Sequence, residues 1–109
     1  MSEYTHTLFD FCKIDVYQKA KPFCILITKS IPTGDFDKTT NDQLRRASFS
    51  IMLNIAEGSS KFSNKDRKNI MMVARGSAFE CTAILEYLYE INDISCFLRQ
   101  MLLSMLVSF

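Results

Sequence analysis

Between residues 70 and 91, apolar and small side chains recur at steps of four and three: Ile70, Ala74, Ser77, Cys81, Ile84, Leu88 and Ile91. On an α-helix these positions share one face, so the spacing predicts a long helix with one inward seam. Such a seam must be covered by other helices, and two earlier stretches have the same rhythm. One is Val16, Ala20, Phe23 and Ile27, flanked by Tyr17 and Cys24. The other is Leu44, Ser48, Ile51, Ile55 and Gly58. The first helix is read from Asp10 to about Lys29, after an arm at residues 1–9, and Pro32 and Gly34 break the chain behind it. Thr40 and Gln43 fit a capping box that opens the second helix, with Asp42 in its first turn. That helix is read to Glu57, with Gly58 as the residue just past its end. Ser63 or Asn64 can cap the third helix, which reaches about Asn92, and a shorter fourth helix runs to the end. No strand alternation competes with this pattern, and only 3 Gly and 2 Pro interrupt a chain that is 48% hydrophobic. With short connections, the expected fold is all-α: an up-down-up-down antiparallel four-helix bundle, one domain over residues 1–109.

A small isolated bundle needs polar outer faces. Two of these helices lack them. Met72, Gly76, Phe79, Ala83 and Tyr87 line the side of the third helix opposite its seam. Phe49, Met52, Leu53 and Ala56 lie away from the seam of the second. Gly76 costs about 1 kcal/mol relative to alanine inside a helix, which the close approach of another helix would offset. The expectation is a homo-oligomer interface built from helices 2 and 3.

Charge is unevenly distributed. The formal net charge is +1, yet residues 43–75 carry seven bases against two acids, and residues 76–109 one base against four acids. Lys61, Lys65, Arg67 and Lys68 cluster at one predicted bundle end, with Arg45 and Arg75 farther along helices 2 and 3. Phe62 in the intervening loop offers a ring on which a base could stack. The functional expectation is a nucleic-acid surface, RNA or DNA, multiplied by oligomerisation. The bland reading is a solvated charged face, and the rival class is an oligomeric scaffold that presents a surface to a protein.

Catalysis is not expected. The only histidine is His6, which excludes a His-based triad or a multi-His metal site; there is no Glu-x-x-His pair and no Gly-rich phosphate loop. No metal or cofactor is implied. Glu57 and Glu80 are read as ion-pair partners of Arg46 or Arg75 rather than as a carboxylate pair. Asn54, a weak helix former, is read as bonding a neighbouring helix or the loop between helices 2 and 3. Cys12, Cys24, Cys81 and Cys96 form no CxxC pair and read as reduced, mostly buried thiols of a cytoplasmic protein. No basic and apolar leader is read, and the apolar tail from Phe97, broken by Arg99 and Gln100, is too short to span a membrane.

The run Gln43-Leu-Arg-Arg-Ala, then Ser50-Ile51 and Asn54-Ile-Ala-Glu-Gly58, with Ser63-Asn64-Lys65 and Ala74-x-Gly76-Ser77 downstream, resembles the bacterial four-helix bundle family encoded in intervening sequences of 23S ribosomal RNA genes. Val16-Tyr17-Gln18-Lys19-Ala20 and Ile31-Pro32 are similar to it as well, so the likeness spans about residues 10–95. The chain departs at Tyr17, where the family commonly has Trp, and at Met52-Leu53, where Pro-Ser is frequent; a straighter second helix is expected in consequence. The step from Gly76-Ser77 to Glu80 is one residue shorter than the family pattern. The resemblance implies an up-down bundle. A related accessory protein of diversity-generating retroelements is a ring of five that engages nucleic acid and a reverse transcriptase, so the resemblance also implies a pentamer with such partners.

Overall fold

The computed structural model describes residues 15–31, 38–61, 63–91 and 93–107. They form four helices, and no strand occurs among the described residues: α1 (Asp15–Ser30), α2 (Lys38–Ser59), α3 (Asn64–Glu90) and α4 (Cys96–Val107). The α2–α3 pairing is the most extensive; α1 packs on α2, α4 on α3, and α4 also meets α1. The expected arm and residues 10–14 of the first helix lie outside the described residues, as do the break at Pro32 and Gly34 and the helix end at Asn92.

α1 carries Asp15 in its first turn and Lys29 in its last, each sign matching the helix dipole. It buries Ala20, Phe23, Cys24 and Ile27. Val16, expected in the seam, is instead 37% exposed, one turn short of the packed stretch. Cys24, expected to flank the seam, is buried within it.

α2 starts at Lys38, so Thr40 lies inside the helix and is not its cap. Gln43 also departs from the capping-box reading, because its Nε2 donates to Glu80 Oε1 at 2.6 Å on α3. The seam Leu44, Ser48, Ile51, Ile55, Gly58 is buried throughout. Gly58 is itself helical and does not terminate α2. A Cβ there would stand 3.1 Å from Met71 Cε and 3.4 Å from Ile70 Cγ2, so the glycine serves close approach to α3. The final turn closes by other means. Ser60 and Lys61 amides donate three residues back, to the Glu57 and Gly58 carbonyls at 3.0 and 3.2 Å. The Ser59 hydroxyl donates to the Ile55 carbonyl at 2.8 Å.

α3 opens as the sequence indicates: Ser63 is extended and its Oγ accepts from the Asp66 amide at 3.4 Å. Its buried line is Ala74, Ser77, Cys81, Leu85 and Leu88. Ile84 is only half-buried and Ile91 is 42% exposed, contrary to the heptad reading. A strict heptad drifts by about 20° per repeat on a straight helix. By the third repeat Leu85 has rotated into the core in place of Ile84, and Ile91 stands just past the end of α3. α4 is held to α3 by Arg99, whose Nε and Nη2 donate to the two carboxylate oxygens of Glu86 at 3.0 and 3.1 Å. The same guanidinium lies over the Tyr89 ring, 4.6 Å from its centroid.

Leu85→Ala should lower unfolding free energy by about 2–5 kcal/mol, against under ~1 kcal/mol for Ile91→Ala, in urea denaturation. Equal losses would restore the heptad seam.

Candidate nucleic-acid interface

The first turns of α3 place Lys65, Arg67 and Lys68 in exposed positions. Lys65 and Lys68 are three residues apart and share a face. Among the described residues neither has an ion-pair partner. The helix N-terminus adds positive potential at the same end. Arg67 is engaged differently: its Nε and Nη2 donate to the Lys61 carbonyl at 3.3 and 2.8 Å, clasping the α2–α3 connection. Lys61 Nζ stands 3.9 Å from Glu57 Oε1, one helical turn away. Phe62, the expected stacking ring, lies outside the described residues.

Two expected members stand apart. Arg45 is sixteen residues before Lys61, about 24 Å along a helix. Its guanidinium is half-buried, donating to Asp42 Oδ1 at 3.1 Å and to the carbonyl of Ile31 just past the end of α1. It therefore satisfies a carbonyl at a helix C-terminus, where such groups lack intrahelical donors. Arg75 is about 15 Å beyond Lys65, with its guanidinium 5.5 Å from the Phe79 ring centroid. The basic end thus reduces to Lys65 and Lys68, with Lys61 and Arg67 beside them.

The expected polar residues also pair differently. Asn54 Nδ2 donates within α2, to Ser50 O at 2.8 Å and Ser50 Oγ at 2.9 Å. The link to α3 is made by Ser77, whose hydroxyl donates to Ser50 Oγ at 3.0 Å. The sequence does not single out Ser50 and Ser77 as a pair; the available signal is a hydroxyl on the α3 seam, Ser77, and one beside the α2 seam, Ser50. Glu57 meets Lys61 and Glu80 meets Gln43, so neither carboxylate pairs with Arg46 or Arg75. Arg46 is exposed.

The outer faces of α2 and α3 are apolar. Phe49, Leu53, Met72, Phe79 and Tyr87 are each about half exposed or more, and Ala83 is exposed with them. Val73, at 54% exposure, joins this surface although the sequence reading omitted it. Met52 and Ala56 are half-buried, and Met52 packs against the core. A Cβ at Gly76 would meet nothing within 4 Å. Its space is open, unlike that beside Gly58.

Cys24 and Cys81 are buried and Cys96 is exposed, while Cys12 lies outside the described residues. Burial pushes the Cys24 thiol up, partly offset by its hydrogen bond with Ser48. The Cys81 thiol is pushed up to about 12, first by burial and then by the nearby Glu80 carboxylate and Cys24. Both stay protonated and unreactive near neutrality. No group of three or more His, Cys, Asp or Glu among the described residues is placed to hold a metal, and no helix among them is long and apolar enough to cross a membrane.

The 23S rRNA-intervening sequence protein family model matches residues 12–106. The chain belongs to this family. The match spans all of the described helices except the last residue of α4. No curated protein matches the chain.

For Cys81, the unfolded thiol ionises near 9 and the folded thiol near 12. The stability it contributes is full below pH 9 and falls as pH rises from there towards 12, by about 1.4 kcal/mol per pH unit. Cys81→Ala should flatten that decline in alkaline urea titrations. An identical slope in both proteins would contradict the assigned burial.

Proposed function

We propose that this chain is a non-enzymatic, homo-oligomeric nucleic-acid-binding protein of the cytoplasm. Its helices would run up-down-up-down as an antiparallel bundle. The Gln43–Glu80 bond near the start of α2 and the Gly58–Met71 approach near its end support that for the central pair. So does Arg45, which joins the start of α2 to the residue after α1.

The observation that carries the nucleic-acid reading is the exposed Lys65–Lys68 pair at the N-terminus of the longest helix, without acidic partners among the described residues. Two lysines bind a phosphate backbone weakly, and repetition around a closed oligomer would make the contact useful. The apolar outer faces of α2 and α3 support that oligomer. So does Gly76: alanine there would favour the helix by about 1 kcal/mol and touch nothing in the same chain. A subunit packed against Gly76 would account for retaining glycine. A ring of five, with a reverse transcriptase as a protein partner, is the form the family resemblance implies. The same apolar faces favour a second reading, an oligomeric scaffold for another protein with no nucleic-acid contact.

The test pairs Lys65→Glu with Lys68→Glu and measures retention of a structured RNA and of duplex DNA between 50 and 200 mM salt, about the range over which phosphate contacts weaken most. Native protein should bind at low salt and lose affinity steeply as salt rises. The double variant should lose at least about tenfold at low salt with its oligomeric mass unchanged. Absence of low-salt binding, or binding indifferent to salt, would contradict the nucleic-acid reading and favour the scaffold.

A further inference from the structure

α4 has 12 residues against 27 in α3, so it cannot cover the full length of its neighbour. What it leaves is an apolar groove of about 620 Å³, bordered by α1, α2, α3 and α4. Ile51, Ile55 and Ala74 form its floor, all nearly fully buried. Ala78, Leu103 and Leu106 form its walls. The volume lies within the ~300–1,000 Å³ usual for small-molecule sites, which are mostly apolar with a few placed polar groups.

The polar inventory of this groove is short. Thr82 lines it, but its hydroxyl already donates to the Ala78 carbonyl at 3.0 Å. Arg75 is the only charged side chain among the described lining residues, and no acid is among them. Its guanidinium rests over Phe79, another lining residue, and has no ion-pair partner among the described residues. Lys65 and Lys68 do not line the groove, so it is separate from the proposed nucleic-acid surface, while Phe79 belongs both to its lining and to the apolar outer face of α3.

We propose that the groove binds a straight-chain fatty carboxylate, with its alkyl tail along the α3–α4 wall and its carboxylate on Arg75. The charge pattern selects this occupant. A neutral apolar molecule or an apolar helix would gain nothing from Arg75, the one cation among the described lining residues. A polyanion would find one charge and a wall of hydrocarbon. A single-chain amphiphile with an anionic end matches both features, because arginine presents a planar fork suited to a carboxylate.

Calorimetric titration with dodecanoate below its micellar concentration tests this directly. Saturable binding of about one molecule per chain is expected, and decanoate, two methylenes shorter, should bind roughly tenfold more weakly. Arg75 is exposed, so Arg75→Gln should fold normally. It should abolish the preference for dodecanoate over dodecanol and leave dodecanol affinity unchanged. Lack of saturable binding, as when a second copy or another stretch of this chain fills the groove, overturns the proposal. So does uptake of many molecules per chain, affinity indifferent to chain length, or an unchanged carboxylate preference in Arg75→Gln.

Discussion

The rest of the molecule is organised by the pairing of α2 with α3. Small residues lie where the two helices meet: Gly58 on α2 against Ile70 and Met71, and Ser77 on α3 against Ser50. These let the two backbones come near enough for the Ser77 hydroxyl to reach Ser50 and for Met71 to lie against Gly58. Leu44, Ile51, Ile55, Leu85 and Leu88 then fill the space between. α1 adds Phe23 and Ile27 to this pair and α4 adds Leu102. Both outer helices are clamped by an arginine, Arg45 at the end of α1 and Arg99 at α4.

That architecture spends one face of each central helix on the monomer and leaves the opposite face largely apolar. On α3 the outward stripe repeats every three or four residues from Met72 to Tyr87, as regularly as the inward one. A solvated surface has no need of such regularity. Lys61, Lys65, Arg67 and Lys68 gather where α2 passes into α3, and Glu86, Glu90 and Asp93 lie towards the passage from α3 to α4.

Much of this was legible from spacing. The α2 seam from Leu44 to Gly58 is buried as read, and of the two candidate caps, Ser63 and Asn64, it is Ser63 that caps α3. Failures share a cause: sequence spacing gives a helix face but not what lies opposite it. Leu85 replaced Ile84 because the heptad template drifts on a straight helix. Arg45 was read as part of a basic patch, yet the carbonyl of Ile31 needed a donor and Arg45 was the side chain within reach. Gly58 looked like a terminator because glycine so often ends helices, whereas the space beside Met71 is what requires it. Asn54 reads as bonding a neighbouring helix or the α2–α3 loop, but Ser50, one turn back, is its partner. The Lys65–Lys68 pair was visible in the sequence. Its separation from Arg75 and Arg45 needed the helix lengths and contacts.

Both glycines in the helices now have distinct meanings. Gly58 is explained within the chain, by contacts with Ile70 and Met71. Gly76 is not, because its surroundings are empty up to 4 Å. We propose that another subunit occupies that space. Light scattering of the native protein on a size-exclusion column tests it most directly. The expected result is a particle several times the 12.6 kDa chain mass, stable on dilution into the low micromolar range. A 12.6 kDa species at every concentration would contradict it.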